Sequence, residues 1–189
     1  DLFLKVTNAS LAPYGIATAT LSGHNPNTNV DFGTFTAEIG SGGEAFHLYD
    51  LGVLGADFVA YLQGARPGSK DALTMVWEAA RGQTSSTSTA SRIDVRDTAG
   101  YDDGPVLHEY AHYATLNYSD NDSPAGSHSL AECNQDPRLS WDEGFASYFG
   151  GSVRRHFGLT LPNVYLRTTG AAGPGGIVLS YDLESVDKY

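Results

Sequence analysis

Val106-Leu107-His108-Glu109-Tyr110-Ala111-His112 decides how this chain is read. The run follows Asp102-Asp103-Gly104-Pro105, where either Asp can cap a helix and Pro is tolerated in the first turn. At helical spacing, Leu107, Tyr110, Ala111, Ala114 and Tyr118 form one apolar stripe, and His108, Glu109 and His112 fall opposite it. Two His four residues apart on a helix project side by side, so both imidazoles can reach one ion. Imidazole suits Zn²⁺, and three protein ligands leave a fourth position for water. Glu109 follows the first His, where it can take that water's proton without binding the ion. Roughly one chain in 150 of this composition would carry His-Glu-x-x-His by chance, which gives the pattern weight. The alternative is a pair of surface His satisfied by water.

The first forty residues read as strands: Leu2 to Val6, Ile16 to Leu21 and Phe32 to Ile39, separated by Asn, Pro and Gly clusters. Gly40-Ser41-Gly42-Gly43 marks a boundary. From Glu44 to Leu62 the period becomes helical, with Phe46, Tyr49, Leu51, Val53, Leu54, Phe58, Val59 and Leu62 on one broad face. A strand is expected over Ala72 to Trp77, a loop over Gln83 to Ser91 and a short strand over Arg92 to Val95. A polar loop, Asn117 to Asp136, leads to a further helix from about Ser140 to Phe157. The tail beyond Leu159 is rich in Gly and Pro and shows little pattern.

Composition narrows the function classes. Twenty-two Asp and Glu against eleven Lys and Arg give a net charge of −11, which excludes a general nucleic-acid or anionic-membrane binder. No apolar run reaches the roughly 18 residues of a membrane span. The 189 residues suit one domain, or one domain with an appendage. A single Cys, Cys133, excludes an internal disulfide framework and a Cys-based zinc cluster; the expected place for it is small and at least half buried. The start at Asp1 reads as trimmed. Few Lys and many Ser, Thr, Gly, Asn and Tyr point to a secreted protein, whereas the Asn-x-Ser sequons at Asn8, Asn117 and Asn121 are common coincidences in such a chain.

A third ligand to the ion must come from elsewhere. A metzincin pattern is excluded, because Thr115 and Tyr118 stand where its Gly and third His belong. The segment Ser140-Trp141-Asp142-Glu143-Gly144-Phe145-Ala146 resembles the glutamate helix of gluzincins, particularly the Asn-Glu-Gly-Phe-Ala run of aminopeptidase-N-like enzymes. It is similar, more distantly, to the Asn-Glu-Ala run of thermolysin-like enzymes. The run from Asp122 to Ser129, continued by Asp136 to Leu139, resembles a stretch of secreted bacterial metallopeptidases of undefined function. The motifs cover about a quarter of the chain.

That resemblance implies an α+β, zincin-like fold: a small twisted sheet, an active-site helix, a glutamate helix and a β-rich N-terminal segment. It implies that His108, His112 and Glu143 bind Zn²⁺, that Glu109 is the catalytic base, and that the substrate is a peptide or protein. Residues 1–40 would be a β-rich segment or the end of an immunoglobulin-like domain. Residues 41–189 would be the metallopeptidase domain, with a C-terminal subdomain missing. The strand Arg92 to Val95 would be the edge that receives an extended peptide, or else an ordinary sheet edge. Three departures stand out. Thirty residues separate His112 from Glu143, Asp142 replaces the usual Asn, and Ser147 stands where thermolysin-like enzymes carry an Asp that orients a ligand His.

An oxyanion partner would come from Tyr165, Tyr181 or Tyr189. Ser140-x-x-Glu143 also fits a capping box, in which Glu143 would need no metal; His128, Glu132 and Asp142 are the next places to look. His128 otherwise reads as surface, Asp120 and Asp122 as a solvated acidic loop rather than a Ca²⁺ site, and His24, His47 and His156 as structural or surface residues. The reading from a different class is a zinc-stabilised, inactive binding or adhesive module.

Overall fold

The computed structural model describes residues 3–18, 20–68, 72–129, 132–169 and 176–185. The elements run β1 (Leu4–Thr7), α1 (Gly43–Gln63), β2 (Leu73–Val76), β3 (Thr87–Ser88), β4 (Arg92–Asp94), α2 (Asp103–Tyr118), α3 (Pro137–His156), β5 (Val164–Thr168) and β6 (Ile177–Asp182). The three helices and two small sheets among the described residues make an α+β protein. No described helix is long and apolar enough to cross a membrane.

The first sheet has the order β1-β2-β4-β3. β1, β2 and β4 are parallel, in register Leu4↔Leu73 and Thr74↔Arg92, while β3 runs antiparallel to β4. A parallel pair requires a crossover, and α1 supplies it between β1 and β2. Leu4, Val6, Leu73, Met75 and Ile93 are buried on the helix side, and Lys5 alternates outward. Since β1 pairs with β2, the first strand joins the same sheet as the second, across the Gly-rich stretch at 40–43. β4 has neighbours on both sides, so the free edge expected at Arg92 to Val95 belongs instead to β3.

α1 spans nearly the expected range, and the expected face turns inward in part: Leu51, Phe58 and Val59 are buried, and Val53 and Leu54 pack against the core. Tyr49 is 39% and Leu62 63% exposed, whereas Leu48, Leu51, Gly52, Gly55, Ala56 and Val59 are buried. Glycine is required there by close approach. A Cβ on Gly52 would meet a Leu4 methyl at 2.5 Å, and one on Gly55 would meet the Tyr110 ring at 2.7 Å. Small residues interleave with Leu48, Leu51, Phe58 and Val59 on the buried face, so large side chains alone mark only part of it.

α2 is buried on most of its surface. Leu107, Tyr110, Ala111 and Ala114 are in the core as the stripe requires, with Tyr118 packed at its border, and Val106 and Tyr113 are buried as well. Between Leu11 and Gly42 the expected strands at Ile16 to Leu21 and Phe32 to Ile39 are not formed among the described residues, and Leu2 and Ala19 lie outside them. These runs find no ladder partner, and Ile16, Leu21, Phe32, Phe35 and Ile39 are exposed. The tail departs in the other direction. β5 and β6 pair antiparallel as a hairpin, with Tyr165 opposite Tyr181, although the sequence there gave little sign of strands.

Candidate metal centre

The centre is built where α2 and α3 pack together. Ala111 of α2 and Ala146 and Gly150 of α3 are buried, and a Cβ on Gly150 would stand 3.4 Å from that of Leu107. Small residues let the two helices approach, which brings Glu143 and Ser147, one turn apart on α3, alongside His108.

α3 begins at Pro137, capped by Asp136, whose carboxylate accepts from the Arg138 amide at 2.9 Å. Helix entry thus lies about one turn before the expected Ser140, and Glu143 sits in the second turn. It cannot close a capping box with Ser140, so that explanation of Glu143 is removed. The α2 start also differs from expectation. Asp102 stands at the N-cap position but makes no side-chain cap. Its buried carboxylate accepts from Arg96 at 3.0 Å and from the Thr168 amide and hydroxyl at 3.1 and 2.8 Å, tying the hairpin to the helix.

Three donors converge. His108 Nε2 lies 2.9 Å from Glu143 Oε2 and 3.1 Å from His112 Nε2, and His112 Nε2 lies 3.5 Å from Glu143 Oε1. Two donors about 2.0–2.2 Å from a tetrahedral ion stand roughly 3.3–3.6 Å apart, close to the observed spacings. The His108–His112–Glu143 group can therefore hold a metal ion. Behind it, His108 Nδ1 is 3.1 Å from Ser147 Oγ, which is 3.3 Å from the Tyr181 hydroxyl. His112 Nδ1 is 3.3 Å from Asp142 Oδ2, and Asn121 donates to Asp142 Oδ1 at 3.1 Å. Each imidazole is thus held through Nδ1 with Nε2 facing the shared space, the orientation that ligation requires. Two of the three departures from the gluzincin pattern, Asp142 and Ser147, are the residues that give this support.

Electrostatics follow from burial and these contacts. Burial alone would raise the Glu143 carboxyl, but hydrogen bonds and charge from His108 and His112 outweigh it and hold the group well below the usual carboxylate range. Burial would lower His112, yet Glu143 and the neighbouring carboxylates raise it. Glu109 is pushed up by burial, offset in part by His108 and by the Ser88 hydroxyl, which donates to Glu109 Oε2 at 2.9 Å. Ser88 lies on the β3 edge, so the carboxylate is fixed between helix and sheet without joining the three donors.

A cleft of about 710 Å³ opens over the group. Thr84, Ser85 and Ser86 line it beside β3, and Tyr165, Arg167 and Tyr181 line it from the hairpin. Tyr165 and Tyr181 stack at 4.9 Å, and the Tyr165 ring centroid is 6.3 Å from that of His108. Burial, then Tyr181 and Glu109, push the Tyr165 phenol well above its ordinary range, so it stays protonated at neutral pH. Tyr189 lies outside the described residues.

His128 reaches the site too, with Nε2 3.2 Å from Glu143 Oε2, although its side chain is 43% exposed and it stands outside the converging trio. Glu132, Asp120 and Asp122 are exposed in the same loop, and Cys133 is exposed, not half buried as expected. His47 pairs with Asp103 at 2.9 Å, His156 stacks on Tyr61, and His24 is exposed. The amides of Asn117 and Asn121 are engaged inside the fold, Asn117 on the Ala90 and Tyr113 carbonyls, which makes these sequons structural positions. Sequence reasoning missed Ser88, which holds Glu109, and Arg96 and Arg167, which line the cleft. Only Ser147, four residues from Glu143 on one helix, carried a readable signal.

No family model matches the chain, and no solved structure matches it. An uncharacterized protein of Archaeoglobus fulgidus is 34% identical to it over 64 residues, 33% of this chain and 19% of that protein. The matched part of the chain thus spans about a fifth of the archaeal relative.

Proposed function

We propose that the protein is a zinc metallopeptidase of gluzincin type, in which the β1-β2-β4-β3 sheet and the helices packed with it form a zincin-like catalytic domain that acts on extracellular peptides. The observation that carries this reading is the convergence of His108, His112 and Glu143, with Glu109 held beside them but outside the trio. Two imidazoles and one carboxylate are a donor set that suits Zn²⁺ in an open, catalytic site. When bound there, zinc would polarise a scissile carbonyl and acidify a water.

The chain's own residues supply the rest. Glu109, raised by burial, takes the proton of the attacking water and passes it to the departing amine. Tyr165, kept protonated, donates a hydrogen bond to the oxygen that gains charge as the carbonyl is attacked. The free edge of β3 pairs with an extended peptide, whose side chains then alternate between the cleft and solvent.

The test is metal content by elemental analysis together with digestion of a broad peptide library. The purified chain should carry close to one zinc, His112→Ala should lose it, and Glu109→Gln should retain it while hydrolysis falls about 10²- to 10⁴-fold. Unchanged zinc in His112→Ala removes the metal site. Zinc retained with undiminished hydrolysis in Glu109→Gln removes the assigned base.

A further inference from the structure

The hairpin end of the cleft is positively charged in a protein whose net charge is −11. Arg96 and Arg167 both line it. Arg96 is buried at 8% exposure, and one of its terminal nitrogens donates to Asp102 at 3.0 Å and to the Thr168 carbonyl at 3.2 Å. Its other guanidinium nitrogens have no protein partner among the described residues, and they are not among the buried polar atoms left unpaired. They are open to the cleft. Arg167 precedes Thr168 in β5 and is exposed, and its side chain makes neither an ion pair nor a hydrogen bond among the described residues.

Backbone geometry aims Arg167 inward. Tyr165 and Arg167 share one face of β5 by strand alternation, and both line the cleft. The ladder slips just beyond them: Arg167 pairs with Leu179 and Thr168 with Ile177, which leaves Val178 unmatched. Such a slip bends a strand and redirects its side chains. Among the described residues Asp102 is the one carboxylate bonded to the pair, and it is shared with both Thr168 donors. The other acids of the cleft, Glu109 and Glu143, are taken up by Ser88 and by His108, His112 and His128. Two guanidiniums against one shared carboxylate leave an uncompensated positive charge.

We propose that Arg96 and Arg167 form a carboxylate subsite, which grips either the C-terminal carboxylate of a peptide or an Asp or Glu side chain. The other part of that peptide lies across the His108–His112–Glu143 group. The inference rests on reading the cleft as a peptide site. Arg96, fixed by Asp102 and Thr168, offers preorganised donors at the base, and Arg167 closes on the ligand from the rim. Tyr165 stands between this subsite and the metal group. Its ring centroid lies 6.3 Å from that of His108, in an edge-to-face arrangement. Charge-assisted bonds from guanidinium to carboxylate are the strong, directional kind, and a fork of donors recognises a planar anion better than an ammonium does.

Peptide affinity measured on the full chain carrying Glu109→Gln, which leaves bound peptide uncut, tests this. One pair of peptides has neutral side chains and differs only in a free or amidated C-terminus. A second pair is amidated and differs only by Glu or Gln at one internal position. At least one acid should bind about tenfold tighter than its neutral twin, and the pair that shows it identifies the source of the carboxylate. Adding Arg167→Gln should abolish that preference while leaving affinity for the neutral twin and zinc content unchanged. Arg167→Lys should restore only part of it. Equal binding, or none, of acid and neutral twins by a zinc-loaded protein overturns the subsite and leaves the metal reading standing. A preference that survives Arg167→Gln also overturns it. A preference seen in a chain that takes up no zinc supports the subsite while removing the zinc peptidase.

Discussion

α2 and the stretch between Leu11 and Gly42 are both rich in large apolar residues, yet they end in opposite environments. Tyr110, Leu107 and Val106 are at most 1% exposed, whereas Phe32 is 50%, Phe35 48% and Ile16 49% exposed. Hydrophobicity does not separate them. A helix satisfies its own backbone polar groups and can carry its side chains into a core from any direction. A strand needs a neighbour for the same purpose, and apart from a single bridge between Thr7 and Pro13 the described residues of this stretch pair with neither open edge of the first sheet, β1 or β3. The segment is instead tethered near its ends, by Tyr14 on the Val6 and Trp77 carbonyls and by Glu38 on the Gly43 amide.

Three variants, one of them double, test this contrast. Tyr110→Ala should cost the most, about 3–5 kcal/mol, because it empties a buried aromatic site against Gly55, Tyr113 and Phe149. Denaturant unfolding reads this directly, and a loss below about 1 kcal/mol would mean that α2 is not the centre of the core.

A smaller effect is expected at the α3 entry. The Arg138 side chain, and then its amide, hold the Asp136 carboxyl down at about 2, from a usual 3.8. A depressed folded-state value means that the charged cap stabilises fully above the usual value, and that this contribution is lost as pH falls through about 2. Asp136→Asn keeps a capping acceptor and loses the charge. Its melting temperature should lie below the parent's at pH 6, and the gap should shrink as the pH approaches 2. A gap that is constant with pH would remove the charge from the account of this helix.

Least of all should change when Phe32→Ser and Phe35→Ser are made together. Exposed side chains without fixed partners usually move stability by no more than about 0.5 kcal/mol each. A loss comparable with that of Tyr110→Ala would show that the arm packs on the body in solution, and the contrast would fail.

The same physics decides how much was legible in the sequence. His108, Glu109 and His112 could be read because the helix repeat fixes their relation within four residues, and Glu143 because its neighbours resemble a known helix. β1, β2 and β4 were readable from short β-branched and apolar runs. Residues 16–21 and 32–39 had the same local look, and only the absence of a partner strand, a non-local fact, kept them out of the sheet. β5 and β6 were missed for the complementary reason. Their residues are only half buried or exposed, so little alternation is written into them, and their pairing is anchored by Asp102, more than sixty residues from Thr168. The start of α3 was misplaced by one turn because Ser140 and Glu143 imitate a cap, while the true cap, Asp136, precedes a Pro at the first helical position.

The hairpin is also the last described element to leave the ribosome. His108, His112 and Glu143 all precede it, so the three donors are synthesised before Tyr165, Arg167 and Tyr181 exist to wall the cleft. The donor group is thereby in the chain before the residues that complete the cleft. With α3 clear of the exit tunnel and the hairpin still inside it, the three donors would face an open side, and Thr168 would then seat the wall by closing onto Asp102.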